Sequence, residues 1–479
     1  MQNAKAPTVN AYLPDERPST LKLLLYALQQ VIVMFPATVT VALITGFQVS
    51  TTIFASGLAT ICFILITGRK IPMYYGSSFA YLTAIGSLMA TEAIIARLSP
   101  EAALQLEAWK TGASPILPGE AISYAQFGII MSGLVSIAAG IVVKFAGMGM
   151  VEKLLPPAIT GSIAMVIGLT LAGNALSDAA PQASAAGLVG GGNWVWVVSL
   201  ATLLSTILYS RYLKGFLGQL PLLLGAATGC AVAGLLYLFG GADMSLFRTV
   251  PPEALNASLW SGGILSIPAF TLPKASWQAV LAIMPIAIAT IPESTAHMYQ
   301  LDIYVNDVAK KKGKGRYNLV NMLDRNLIGD GICDMISGFV GGPAGTNYGE
   351  NISTMAITRV FSVPVMLVAG VIAMVISCFT PLVQAIYGIP LAVIGGLEVY
   401  LFGAIAAQGI AIMIDKQVDM FSSKNIAVIA TIMVIGLGGQ YAFGGNINFF
   451  GIDVPCIAGA AIFGIALNAI LSLGEKKKA

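Results

Sequence analysis

The chain has 479 residues, of which 57% are apolar and only 10% charged, with a formal net charge of +3. Ordinary soluble domains carry roughly 25% charged residues, so this composition excludes a soluble globule of this size, and with it most soluble enzymes and any open nucleic-acid groove. A mean hydropathy of +0.83 spread over long apolar runs reads as a polytopic membrane protein.

The N-terminal stretch is polar, with Asp15, Glu16 and Arg17 and without an apolar core or cleavage site, so the first apolar segment is expected to be retained. A spanning helix needs ~20 mostly apolar residues. Such segments lie at 21–46, 49–68, 71–90, 122–145, 156–176, 193–210, 215–241, 275–298, 325–341, 345–360, 362–380, 389–413, 424–438 and 455–473, which predicts fourteen crossings. The long connections at 91–120 and 242–273 lie outside the bilayer in this layout. Cys62, Cys230, Cys333, Cys378 and Cys456 all fall in apolar stretches without CxxC spacing and read as small reduced packing residues, not metal ligands.

Charge orients the layout. With the N-terminus inside and each segment crossing once, all but Arg97, Lys110, Arg248 and Lys274 of the 25 lysines and arginines fall on one side. The positive-inside rule makes that side cytoplasmic, which places both termini in the cytoplasm. The basic run Lys310–Arg316 fits an orientation signal better than a lipid-headgroup site.

Two short stretches recur. Leu155-Pro156-Pro157-Ala158-Ile159-Thr160-Gly161 matches Ile389-Pro390-Leu391-Ala392-Val393-Ile394-Gly395, and Tyr75-Gly76-Ser77-Ser78 matches Tyr348-Gly349-Glu350-Asn351. Each pair is seven spans apart. An odd number of spans per half inverts the second half against the first, as in inverted-repeat secondary transporters. Spans three and ten also open on Ile71-Pro72 and Gly341-Gly342-Pro343, which disfavour helix at the membrane edge. The expected result is an extended piece followed by a half-helix. Two such strands would have to pair inside the protein, and the half-helix N-termini would face a ligand with free N–H groups. The fold class is therefore an all-α polytopic membrane protein of two inverted seven-span repeats, with short paired strands in spans three and ten.

Ionisable groups inside a bilayer cost at least ~2.5–3.5 kcal/mol each at a helix centre, so they mark function. The acids on apolar spans are Glu293, Asp330, Asp334, Glu350 and Glu398. His297, the only histidine, lies four residues after Glu293 and shares its helix face, which suits a proton-relay pair. Glu350 opens the span-ten half-helix after Tyr348-Gly349, where a carboxylate could accept ligand N–H groups. Asp330 either braces the site or bonds backbone. Glu398 fits a contact between structural units better than a ligand site, and Gln29-Gln30 could cross-link helices. Two glutamates, exposed backbone edges and an aromatic such as Phe79 suit a small flat neutral ligand with N–H donors and C=O acceptors. A nucleobase meets this description; an amino-acid amide or another heterocycle does too.

At these residues the chain resembles the nucleobase–ascorbate transporter family, and within it the bacterial uracil permeases. The resemblance is carried by Tyr348-Gly349-Glu350-Asn351-Ile352 with Met355–Arg359, by Gly76-Ser77-Ser78-Phe79-Ala80, by Glu293 with His297, and by Leu28-Gln29-Gln30 through Val39. It implies a core domain at 21–145 and 274–380 and a gate domain at 146–241 and 381–473. The remainder would be cytoplasmic tails at 1–20 and 474–479 and an extracellular loop at 242–273. It implies proton-coupled uracil uptake by alternating access, without enzyme activity or cofactor, in the cell membrane among lipids and as a homodimer. Glu293 and Glu350 would hold the ring, the backbone at Phe79 and Gly349 would meet its carbonyls, and Tyr348 would lie beside it. His297 would couple the proton through Glu293, Phe402 would gate, and Gln29 and Asp330 would support. Three positions depart from the family pattern. Gln29-Gln30 replaces Gln-His, Ser353 replaces a glycine, and Pro292-Glu293-Ser294 is closer to purine carriers. Glu350 in place of glutamine favours a pyrimidine over xanthine; an anion carrier or channel is the more distant alternative.

Overall fold

The computed structural model describes residues 11–147, 149–150, 153, 155–181, 183–184, 187–188, 191–249, 263–450 and 452–473. The predicted tail 474–479, residues 1–10 of the N-terminal tail and residues 250–262 of the loop 242–273 lie outside the described residues.

The chain runs through α1 (Thr20–Thr45), α2 (Val49–Ile66), β1 (Tyr75–Ser77), α3 (Leu82–Met89), α4 (Gly119–Ala146), α5 (Pro157–Thr170), α6 (Ala172–Ala179), α7 (Trp194–Tyr212) and α8 (Pro221–Gly240). It continues through α9 (Trp277–Ile283), α10 (Ala287–Lys311), α11 (Leu323–Val340), β2 (Gly345–Asn347), α12 (Gly349–Thr358), α13 (Val363–Ser377), α14 (Thr380–Tyr387), α15 (Leu391–Asp415), α16 (Ser423–Phe443) and α17 (Cys456–Ser472). Every predicted apolar segment contains one of these elements. Among the described residues, nine helical stretches are long and apolar enough to cross a membrane, and Phe79–Met89, Val363–Ser377 and Cys456–Ser472 are shorter apolar helices. This is a multi-pass membrane protein. Leu204, Leu238, Val434 and Ile470 are among the apolar side chains left outward on α7, α8, α16 and α17, as lipid contact requires.

The predicted strands form and pair. β1 and β2 run antiparallel, with Tyr75 opposite Asn347, Gly76 opposite Thr346 and Ser77 opposite Gly345. All six residues are buried, so the extended backbone is satisfied inside the protein and not exposed to lipid. Two further short antiparallel pairs, Ala183–Ser184 with Gly187–Leu188 and Asn446–Phe449 with Ile452–Pro455, lie away from it.

The inverted repeat is written in helix contacts made through glycine. On α4 and α11 a Cβ at Gly133 would strike the Gly331 carbonyl, and one at Gly331 would strike the Gly133 carbonyl. On α2 and α13 Gly57 and Gly370 face each other's carbonyls in the same way. Exchanging the two halves turns one contact into the other. Gly161 of α5 and Gly409 of α15 make a third contact of this kind. Small residues let backbones approach where no hydrophobic driving force joins helices in lipid. The Leu155 and Ile389 stretches are equivalent, since each has a proline as N-cap and leads into a helix, α5 and α15, and these two helices pack together through Gly161 and Gly409. The Tyr-Gly match is not equivalent. Tyr75-Gly76-Ser77 is strand, whereas Tyr348 caps α12 and Gly349 begins it. The true partners of β1 are the residues of β2, three positions earlier than that match places them.

Outside the membrane the segment before α1 is bound to the α10–α11 loop and to the start of α13. Tyr12 N–H donates to the Arg359 carbonyl (2.9 Å), and Lys312 and Lys314 donate to the Glu16 carboxylate at 2.6 and 2.8 Å. With Lys311, which pairs with Asp307 (2.5 Å), three lysines of the basic run have protein partners. Partial burial raises the Glu16 carboxyl, but the hydrogen bonds from Lys312 and Lys314 outweigh it and hold it at about 2, below its usual 4.5. The folded value is depressed, so the stabilisation is complete above about pH 4.5 and is lost as pH falls through about 2. Glu16→Gln should therefore lower stability at neutral pH by ~1 kcal/mol or less and speed tryptic cleavage at Lys312 and Lys314, with no effect of the substitution below pH 2. Equal cleavage rates at pH 7 would show that the tie does not hold the loop.

Candidate functional site

The strand pair is a fixed platform. Asp334 of α11 accepts from the Gly345 N–H (2.8 Å) and from the Tyr75 hydroxyl, so one carboxylate holds both strands. Asp330, one turn earlier, accepts from the Ser294 hydroxyl and from Asn347 Nδ2 (3.3 Å). Asn326 donates to Ser294 (2.7 Å), and Asn347 donates to Asn326 Oδ1 (3.0 Å). This network ties α10, α11 and β2 together beside Glu293. Asp330 thus bonds side chains, which is the bracing arrangement. Asn351 of α12 donates to the side chain (2.8 Å) and carbonyl (3.0 Å) of Gln30 on α1. Gln30 makes that cross-link, while Gln29 beside it is half-buried.

A cavity of about 380 Å³ opens at the end of the strands, within the usual ~300–1,000 Å³ of small-molecule sites. Phe79, Glu293, His297, Tyr348, Gly349 and Glu350 all line it. The sequence-predicted ligand and proton residues, from three separate spans, therefore meet in one place. Glu293 and Glu350 lie within electrostatic reach of each other. Glu350 sits in the first turn of α12, where the N–H groups and dipole favour a carboxylate; its side chain is open to the cavity although protein surrounds it.

Local sequence explains the positions. Tyr348 donates to the Ser77 carbonyl (2.9 Å) and pairs with the Thr38 hydroxyl (3.0 Å), which spreads its ring over Gly76, where any Cβ would collide with it. His297 packs on Gly349, with Nε2 only 2.8 Å from where a Cβ would stand. His297 Nδ1 and the hydroxyl of Thr346 are buried without a partner in the protein, leaving polar capacity at the cavity wall.

The opposite wall is α5 and α15, through Thr160, Ile167, Leu401, Ile405 and Gln408, with Gln219 from the α7–α8 connection. Gln408, Gln219 and Thr160 were not expected; a polar side chain on the apolar α15 was the available signal for Gln408. Phe402, the predicted gate, does not line this cavity. It is buried in a cluster with Val41, Leu82, Leu171 and Leu401, against which Phe79 and Ile405 pack. A second cavity of about 650 Å³ lies beyond the cluster and is lined by Leu82, Leu171, Asp178, Arg248 and Glu398. The cluster thus separates two cavities.

Apolar helices, two paired strand-and-half-helix units and a cavity at the end of the strands that carries two carboxylates fit a membrane permease. The family model described as "Permease family" matches residues 21–445. The chain belongs to that family. It is 33% identical over 460 residues to a uracil permease of Bacillus caldolyticus, covering 95% of this chain and 94% of that one. It is 32% identical to the uracil permease of Escherichia coli K12 (96% and 93% covered) and 32% identical to the putative pyrimidine permease RutG of the same organism (96% and 91%). Among solved structures, murine Slc26a9, an anion transporter captured facing inward, superposes with a TM-score of 0.61 over 99% of this chain and 73% of its own, at 13% identity. The transmembrane domain of the cyanobacterial bicarbonate transporter BicA gives 0.51 over 94% and 97%, also at 13% identity. At that identity these two share the fold alone.

Proposed function

We propose that the protein takes up uracil across the cell membrane together with a proton, by alternating access through fourteen crossings with both termini cytoplasmic. The observation that carries this reading is the convergence of Glu293 and Glu350 on one cavity at the end of the paired strands. Both carboxylates accept ring N–H groups. The backbone N–H groups at Phe79 and Gly349 donate to the ring carbonyls, and Tyr348 and Phe79 flank its faces. His297 serves the proton through Glu293. The uracil permeases among the relatives support the substrate class.

In this reading residues 21–145 and 274–380 form a core carrying the strands, and 146–241 and 381–473 a gate formed around α5 and α15. The buried cluster containing Phe402 is the closed barrier between the two cavities, which supports alternating access. Core and gate move against each other so that the barrier forms on the other side. Uracil is neutral, so one proton carries one charge, and 100 mV supplies ~2.3 kcal/mol. That allows roughly 50-fold accumulation, since ~1.4 kcal/mol is tenfold. The outward apolar faces meet lipid, and the protein works as a homodimer.

The test is uptake of labelled uracil into proteoliposomes with and without an inward proton gradient. Accumulation that needs the gradient and is competed by unlabelled uracil more strongly than by xanthine is the expected result. Stronger competition by xanthine would assign a purine carrier, and gradient-independent equilibration would remove the proton.

A further inference from the structure

The second cavity contains chemistry that uracil binding does not use. Asp178 at the end of α6 and Glu398 on α15 line it together, with their carboxyl groups close enough to share a hydrogen bond. The contact is built in. A Cβ at Gly395, one turn before Glu398, would collide with the backbone at Asp178 and Ala179, so the glycine lets the end of α6 lie directly on α15. Glu398 is 1% exposed, its Oε2 has no partner in the protein, and it lines the cavity. Ionised carboxylates have only acceptor oxygens, so a hydrogen bond between two of them requires one O–H. Arg248 faces Asp178 and adds one positive charge. One shared proton makes the three groups neutral together. A second proton would leave the guanidinium without a counter-charge, and none would leave two carboxylates repelling each other.

The other charged and titratable groups around the cluster do not alter this count. The Tyr387 hydroxyl of α14 lies beside Arg248 and is occupied by Val49 N–H (2.8 Å), and Lys110 at the cavity rim is paired with Glu107 (2.8 Å). The faces of α5 and α7 against α15 present no ionisable side chain among the described residues, and α16 contributes Gln440.

We infer that Asp178 and Glu398 form a proton-binding site, separate from Glu293 and His297, that holds one proton exchanged with water of the second cavity. Proton binding joins α6 to α15 through one O–H···O bond, and release to water breaks that bond. The site itself stands without the transport reading; its use in uptake rests on that reading.

Infrared difference spectroscopy of the full chain in lipid, titrated with acid and base and exchanged into deuterium oxide, tests it. The wild type should show a protonated-carboxyl C=O band that shifts in deuterium oxide. Glu398→Gln and Asp178→Asn should each remove it, because the proton needs both partners, whereas Glu293→Gln should keep it. Asp178→Glu, which retains an acid pair, should keep a displaced band and guards against a variant that fails to fold. A band that survives either Glu398→Gln or Asp178→Asn, or no such band in the wild type, overturns the shared proton. Uracil uptake read in parallel separates this outcome from failure of the transport reading, since the band does not depend on substrate.

Discussion

Glu293→Gln abolishes gradient-driven accumulation of uracil while leaving a measurable part of its binding. Glutamine keeps the length and planarity of the side chain and its carbonyl can still accept a ring N–H, but it cannot gain or lose a proton. His297, packed on Gly349 in the same cavity, then loses the carboxylate one turn away on its own helix. Glu350→Gln behaves differently. It replaces a charge-assisted hydrogen bond by a neutral one of roughly half the strength, so affinity falls by about tenfold, near 1.4 kcal/mol, while the response to the proton gradient is preserved. Proteoliposome uptake with and without the gradient, together with calorimetric uracil binding in detergent, distinguishes the two. Normal pH-dependent accumulation by the Glu293 variant would refute the proton assignment, and equal phenotypes for the two variants would refute the division of labour.

The parts of this site that the sequence reveals are those that break a local rule. Pro72 and Gly341-Gly342-Pro343 interrupt apolar segments that would otherwise be helical, and the paired strands form just after them. Glu293 and Glu350 stand out because an acid on an apolar span needs a reason. What stays hidden depends on tertiary proximity. The Ser294–Asn326–Asp330–Asn347 network joins polar residues from three elements; only Asp330 stands out in its own segment, and nothing local shows that the other three meet it. Gln30, not its neighbour, reaches Asn351 because of how α1 is rotated, which adjacent identical residues cannot disclose. The Tyr-Gly match misled by three residues because a dipeptide carries no register, whereas the strand pairing is fixed by hydrogen bonds. Phe402 has an aromatic gate's position in the chain, but its ring packs into the barrier between cavities and not onto the site.

Gly345→Ala should damage the site more than its single added methyl suggests. The new Cβ would meet the carbonyl of Gly76 on the partner strand and the Tyr75 ring, whose Cε1 lies 2.6 Å from it. Neither can yield. The carbonyl belongs to the strand pair, and the Tyr75 ring is held by its hydroxyl on Asp334, the same carboxylate that accepts the Gly345 N–H. Relief therefore requires the strands to separate, which displaces Tyr348 and the start of α12 where Glu350 stands. Overpacking of this kind costs ~1–3 kcal/mol, so uracil affinity should drop tenfold or more and the melting temperature in detergent should fall with it. Gly234→Ala on α8, where a Cβ would meet nothing within 4 Å, is the matched control and should bind uracil as the wild type does. If Gly345→Ala bound and melted like that control, the crossed strands would not be the element that positions the two carboxylates.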